Sequence, residues 1–310
     1  SDVYKRQWEE STDLETGPGA AMNGYLAVPE QGAVTFEYWW KDKPLSDLAE
    51  VMRLQGLDVI RAGVTTAMIA CLRQLGVSIQ GEGRELKVRG GTWRQPDAPL
   101  NCGNSGTTMR LLMGALAGMP LQVKLTGTAG LQRRPMIRVA RPLREMGANI
   151  SADDAGLSIK GGELRGCEHY LEVASAQVKA ALLLAALQAE GATTIHQPAP
   201  SRDHSERMLR ELHINVLSSA NVVRLHPNRR PLPPTHLTVP GDFSSAAFLI
   251  AAAVLLPGSQ VKLRRVGGNP TRTGLLEALN AMGADISIEN HSESGGEPVA
   301  DITARHTRWR

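Results

Sequence analysis

The chain has 310 residues, 42% of them hydrophobic and 21% charged, with 34 basic against 31 acidic side chains for a net charge of +3. That balance excludes a disordered or collagen-like chain, and it is too even to imply nucleic acid as the partner. The length suggests about two domains, and with aromatic residues at only 4% the core must come from Leu, Ala, Val, Ile and Met. The longest apolar run, Ala246–Leu256, is well short of the roughly 18 residues a membrane helix needs. No basic segment followed by a hydrophobic run opens the chain, so no signal peptide is expected. Cys71, Cys102 and Cys167 are widely spaced and form no CxxC pair. A disulfide framework and a thiolate metal site are therefore not expected, and buried or half-buried thiols in a reducing compartment are.

In chain order the sequence repeats itself. LRQLGVSI starts at Leu72, LREMGANI at Leu143, LRELHINV at Leu209 and LNAMGADI at Leu279, in steps of about 70 residues. A second pattern keeps the same period: SGTTMRLLMGALAG from Ser105, SAQVKAALLLAAL from Ser175 and SSAAFLIAAAVLL from Ser244. The Ser-led segments read as apolar helices with Ser as N-cap, stopped by Gly118 and Gly191. The Leu-x-x-Leu-Gly segments read as the end of a second helix. Their Gly supplies a left-handed cap and the following Ile or Val opens a strand. Short strands are expected at Glu85–Arg89 and Leu157–Lys160. One unit is then strand–helix–strand–helix–strand–strand. The helix from Ser175 is apolar nearly all round, so it belongs inside, with the sheets outside. The Pro-rich stretch Arg224–Leu237 reads as a domain connection.

Helix N-termini carry free N–H groups and about half a positive charge, so several aimed at one cleft make an anion site. Arg134, Arg110, Lys179, Arg202 and Arg207 lie near these turns in the sequence, and arginine suits phosphate or carboxylate. Asn104–Thr108 looks like a phosphate loop, yet no Lys follows the Gly, so it is not a nucleotide P-loop. His204 reads as a surface or supporting residue, because no second His or carboxylate keeps metal-ligand spacing with it.

Seven motifs in order, NCGNSGTTMRLL, RRPM, SAQVKAALLLAAL, SRDHSERML, VPGDFSSAAFLIAAA, NPTRTGLLEAL and GGEPVADI, resemble the EPSP synthase (3-phosphoshikimate 1-carboxyvinyltransferase) family of enolpyruvyl transferases. The resemblance implies repeated βαβαββ units with helices enclosed by sheets, an inside-out α/β barrel. It implies transfer of the enolpyruvyl group of phosphoenolpyruvate to the 5-hydroxyl of shikimate 3-phosphate, with release of phosphate, by addition and elimination. This is a step of the shikimate pathway toward chorismate and the aromatic amino acids. No metal or organic cofactor is implied, and neither is a nucleic-acid or membrane partner; the parent enzyme is expected to be a cytoplasmic monomer. By motif position, Gly106, Arg134 and Gln177 would meet phosphoenolpyruvate. Ser175, Gln177 and Ser201 would hold shikimate 3-phosphate, while Asn104 and Arg110 shape the site.

Three departures accompany the resemblance. Val28-Pro29 is followed by EQGAVTFEYWW, so Gly32, Ala33 and Glu37 stand where the family keeps Lys, Ser and Arg. The 70-residue period likewise calls for a Ser-led helix near residue 35, and the sequence has none. Compensating frame errors and true divergence both fit, and Met22 is a candidate start. The family's six units imply roughly 420 residues, four units are present here, and the general base is expected beyond residue 310. The loop before Arg134 reads Gly127-Thr128-Ala129-Gly130-Leu131, without the family's Asp and Ser, which puts the local anchoring of the Arg134 loop in question.

The expected division is 1–48 atypical, 49–237 one near-complete domain of three units, and 238–310 a fragment of a second domain that should leave apolar surface uncovered. The chain by itself is expected to be inactive. The alternatives are a catalytically dead binding or structural fragment and, further off, the sister transferase acting on UDP-N-acetylglucosamine. That one would need a reactive Cys in the loop before Arg134-Pro135.

Overall fold

The computed structural model describes residues 35–36, 57–81, 86–153, 156–227 and 231–308. Met22, Gly32, Ala33, Glu37 and all of 1–48 other than 35–36 lie outside the described residues.

The repeat is visible as two matching sheets. In the first, β4 (Leu100–Asn101) leads through α2 (Gly106–Ala117) to β5 (Gln122–Thr126). The short α3 (Ala129–Gln132) and α4 (Ile137–Glu145) then lead to the hairpin β6 (Asn149–Asp153) and β7 (Gly156–Lys160). The strand order is β4-β5-β7-β6, with β4 and β5 parallel and the other pairs antiparallel. In the second, β8 (Glu168–Tyr170), α5 (Ala176–Ala186), β9 (Thr193–His196), α6 (His204–Glu211), β10 (Val216–Ser218) and β11 (Val222–Leu225) give β10-β11-β9-β8, the same arrangement. This is the expected βαβαββ unit. Before it, α1 (Leu57–Gln74), β2 (Ser78–Gln80) and β3 (Lys87–Arg89) supply the last helix and hairpin of an earlier unit.

The last unit is α7 (Phe243–Leu255), β12 (Gln260–Gly267), α8 (Gly274–Ala281), β13 (Asp285–Ser294) and β14 (Glu297–Arg305). Its sheet runs β1-β12-β14-β13, where β1 is Thr35–Phe36 and lies parallel to β12. A strand from far up the chain thus takes the place that β4 and β8 hold in their own units. Where the period calls for a Ser-led helix, residues 35 and 36 are strand.

The Leu-x-x-Leu-Gly segments behave as expected, four times over. The N–H of Val77, Ala148, Ile214 and Ala284 returns to the carbonyl of Leu72, Leu143, Leu209 and Leu279. The residue before each is left-handed: Gly76, Gly147 and Gly283 at φ +89°, +109° and +85°, and His213 at φ 60°. This is the Schellman closure, and it survives at His213 without the glycine. A second feature repeats with it. Arg73, Arg144 and Arg210 each follow the repeat's Leu and donate to the carbonyl of Ile79, Ile150 and Val216, tying helix end to strand.

The Ser caps need one correction. Ser105 and Ser175 accept the N–H of Thr108 and Val178, as expected. In the last unit the cap is Asp242, whose carboxylate accepts the Ser245 N–H at 2.8 Å, and Ser244 lies inside α7. Asp caps as well as Ser, so the helix begins at the first good acceptor. At the other ends, Gly118 closes α2 at φ −98°, not left-handed. The stop of α5 is Leu187, and Gly191 turns the chain four residues on. The Pro-rich connection starts later than expected, because Arg224 and Leu225 still belong to β11.

The helices lie inside. Val178, Ala181, Leu182, Leu183, Ala185 and Ala186 of α5 are buried, as are Met109, Leu112, Met113 and Leu116 of α2. The two pack in contact at Gly114, where a Cβ would come within 2.0 Å of the Ala181 carbonyl oxygen. Buried apolar side chains form two cores. One draws on Cys71 through Leu225, the other on Phe243 through Ala304. In the second, β12 and β14 are irregular at Leu263–Val266, and β13 and β14 at Glu289–Ser292. Asp301 ties down both irregularities: one oxygen accepts the Arg265 N–H, the other the Asn290 amide. No described helix is long and apolar enough to cross a membrane.

Candidate anion site at the helix tips

Close packing of α2 and α5 brings their N-termini side by side. Gln177, in the first turn of α5, spans the gap: its amide donates to Thr107 Oγ1 at 2.7 Å, and its carbonyl accepts from Arg110. Gly106 lies beneath two guanidinium groups. A Cβ there would meet Arg134 Nη1 at 2.9 Å and Arg110 Nη1 at 3.3 Å. Asn104 is the third support, with its side-chain oxygen 3.5 Å from Arg134 Nη2 and 3.2 Å from the Thr128 hydroxyl. Thr128 also caps α3 by accepting the Leu131 N–H. One threonine thus both caps the turn before Arg134 and holds Asn104.

The guanidinium groups here have no direct ion-pair partner among the described residues, although Glu145, Glu168 and Glu172 line the cavity of Arg138 and Asp153 that of Arg134. Among the described residues, no carboxylate lies within 4.0 Å of Arg110, Arg134, Arg138 or Arg202. Burial, and then the neighbouring charges of Arg134 and Arg138, pull the Arg110 guanidinium below its ordinary value. Arg138, absent from the sequence-derived set, belongs to this group; its position four residues after Arg134 was the available clue.

At Gln177 a cavity opens between Ala174–Gln177, Pro200–Arg202 and Thr271, while Arg134 lines a separate one with Met109, Met136, Arg144 and Asp153. Ser175, Gln177 and Ser201 therefore share one cavity, with Arg202 at its wall. The Ser201 hydroxyl donates to Gln197. Two expected cations do not contribute. Lys179 is buried against Glu206, Nζ to Oε1 2.6 Å. Arg207 pairs with Asp203 at 2.9 Å and donates to the Gly296 carbonyl. Each met a carboxylate on α6 or its cap before it could face the cleft.

His204 faces the last unit, with Nδ1 2.7 Å from Glu297 Oε1. Asn269 donates to Asp203 and to Glu297, so this cluster joins the two cores. No cluster of three or more potential metal ligands occurs among the described residues. Cys71 and Cys102 are buried and Cys167 half-buried. A hydrogen bond with Cys71, then burial, pushes the Cys102 thiol far up, the opposite of a reactive nucleophile. The loop before Arg134-Pro135 holds no Cys, so the sister transferase on UDP-N-acetylglucosamine finds no support.

Fold and site together define the class: an inside-out α/β repeat protein with arginines gathered at its inner helix tips. The EPSP synthase (3-phosphoshikimate 1-carboxyvinyltransferase) family model matches residues 57–308. The chain is 46% identical over 310 aligned positions to the 3-phosphoshikimate 1-carboxyvinyltransferase of Halorhodospira halophila, covering 97% of this chain and 68% of that protein. It is 48% identical over 249 positions to the one from Geobacillus kaustophilus, covering 78% and 58%. The solved EPSP synthase of Acinetobacter baumannii superposes with a TM-score of 0.74 at 43% identity, over 78% of this chain and 56% of that one. The chain belongs to the EPSP synthase family, and it spans little more than half the length of the solved structures it matches.

Proposed function

We propose that the cleft binds phosphoenolpyruvate and shikimate 3-phosphate, and that the whole protein transfers the enolpyruvyl group to the 5-hydroxyl with release of phosphate. One observation carries this reading. Gln177 joins two helix N-termini beneath guanidinium groups that no described carboxylate neutralises. Like charges held together are costly unless an anion arrives, and helix tips and arginine both favour phosphate. Gly106, Arg134 and Gln177 are assigned to phosphoenolpyruvate. Ser175, Gln177 and Ser201 are assigned to shikimate 3-phosphate, with Asn104 and Arg110 shaping the site. Residues 49–237 and 238–310 are proposed as parts of two domains, which the two separate cores support. Cytoplasmic location, a monomeric parent and independence of cofactor, nucleic acid and membrane complete the reading.

A second reading has its own observation. The cavity shared by Ser175 and Ser201 has no described carboxylate or imidazole in its lining, those of Glu145, Glu168, His169 and Glu172 lying in the neighbouring cavity that Ser175 also borders, so the shared one offers grip without a proton-transfer group of its own. A chain that binds without turnover would fit. Isothermal titration with shikimate 3-phosphate tests the shared part, with 1:1 binding that weakens as salt rises as the expected result. No heat at millimolar ligand would contradict both readings. Phosphate release on adding phosphoenolpyruvate separates them.

A further inference from the structure

Lys179 and Glu206 are each 2% exposed, and their charged groups lie 2.6 Å apart. Lys179 is on the inward side of the first turn of α5, its N–H bonded to the Ser175 carbonyl. Its Nζ also donates to the Ser201 carbonyl at 3.3 Å. Glu206 belongs to α6, whose N-terminus follows the irregular segment Ser201–Asp203. One buried pair therefore connects α5, which carries Ser175 and Gln177, to the segment that carries Ser201. A buried ion pair is a poor way to gain stability, since well-packed apolar side chains often do as well or better. This pair is also incompletely satisfied: Glu206 Oε2 is buried and has no hydrogen-bond partner among the described residues. What the pair offers that two leucines would not is a donor aimed at the Ser201 backbone. Without it, that carbonyl loses its one described side-chain donor and the segment is free to shift.

We propose that Lys179, held in place by Glu206, is a positioning residue that sets the separation of Ser201 from Ser175 and Gln177, and with it the grip on the phosphate of the cyclic substrate. The inference rests on the shikimate 3-phosphate assignment made above. It acts on the phosphate and not on the ring, so it predicts a selective loss. The test compares this chain with Lys179→Met/Glu206→Leu and with the swapped pair Lys179→Glu/Glu206→Lys, by thermal unfolding and by titration with shikimate 3-phosphate and with shikimate. The neutral pair is expected to keep the unfolding temperature within a few degrees and to bind shikimate 3-phosphate at least about tenfold more weakly. Its affinity for shikimate is expected to hold, so the ratio of the two affinities collapses. The swapped pair keeps both charges, moves the donor to α6 and is expected to lose affinity the same way; it decides the matter if the neutral pair does not fold. Wild-type ratios in a folded variant would overturn the inference. Failure of the unaltered chain to bind shikimate 3-phosphate would instead overturn the assignment beneath it.

Discussion

Helices α5 and α7 come from the same repeated sequence pattern and meet different fates. Both follow a side-chain cap, both are apolar nearly all round, and both sit between the same two strands of their units. α5 is covered by α2 and α4, and most of its length is buried. α7 packs one face on β12 and β14, while Phe248 and Leu255 on its other face are 58% and 62% exposed. The pattern specifies an inside helix. Whether it becomes one depends on helices closing over it as α2 and α4 do over α5, whereas the main contacts of α7 among the described residues are with β12 and β14.

The largest effect is expected at the covered pair. Gly114→Val would place side-chain atoms on the Ala181 carbonyl, which belongs to backbone and cannot rotate away. A loss of more than roughly 4 kcal/mol is expected, with collapse of the α2–α5 contact, read by urea unfolding. A variant of wild-type stability would show that the helices do not meet there.

Next comes the cleft that the covered pair builds. Arg134→Ala should weaken shikimate 3-phosphate or phosphoenolpyruvate binding by about 10- to 100-fold, as expected for a charge-assisted contact. Removing one of several like charges should leave the melting temperature unchanged or slightly raised, so calorimetry and titration together give a distinctive pair of results.

A smaller effect belongs to the uncovered unit. Burial raises the Asp301 carboxyl, but hydrogen bonds from Asn290 and the Arg265 N–H outweigh it and hold the group below its ordinary value. A depressed folded value means stability that is complete above the unfolded value, about 3.9, and is lost as pH falls through the folded one. Asp301→Asn should cost roughly 1–3 kcal/mol near neutral pH and flatten the decline below about pH 4. Melting curves from pH 3 to 7 check both parts. Unchanged acid sensitivity would remove Asp301 from the account.

The smallest effect on stability and the clearest on behaviour should come from Phe248→Ser. A side chain exposed to this extent changes folding by no more than about 0.5 kcal/mol. Yet light scattering should show less self-association at high concentration, because the uncovered patch is reduced. A clean monomer before the substitution would contradict the role given to that face.

Much of this was legible in the sequence, and the failures have physical causes. Local chemistry announced itself: the Schellman closures follow from Leu and Gly at fixed offsets, and even His213 conformed because its neighbours did. The arginine clamps at Arg73, Arg144 and Arg210 were equally regular, but only three of the four repeats carry the arginine, so the position read as variable. Ser244 was misassigned because serine and aspartate compete for the same cap two residues apart. Lys179 and Arg207 were misread as cleft cations for a different reason. Whether a cation faces solvent or a carboxylate depends on how α5 and α6 pack, which spacing along the chain does not encode. The same holds for β1, whose partner β12 lies more than two hundred residues away.

The account depends on the tips of α2 and α5 forming one anion cleft. A crystal structure of this chain with shikimate 3-phosphate tests that directly. The predicted result is a phosphate group within hydrogen-bond distance of Ser175 and Ser201, with Gln177 bridging to Thr107 beside it. A ligand bound elsewhere, or Ser105 and Ser175 on separate faces with no cavity between them, would contradict it.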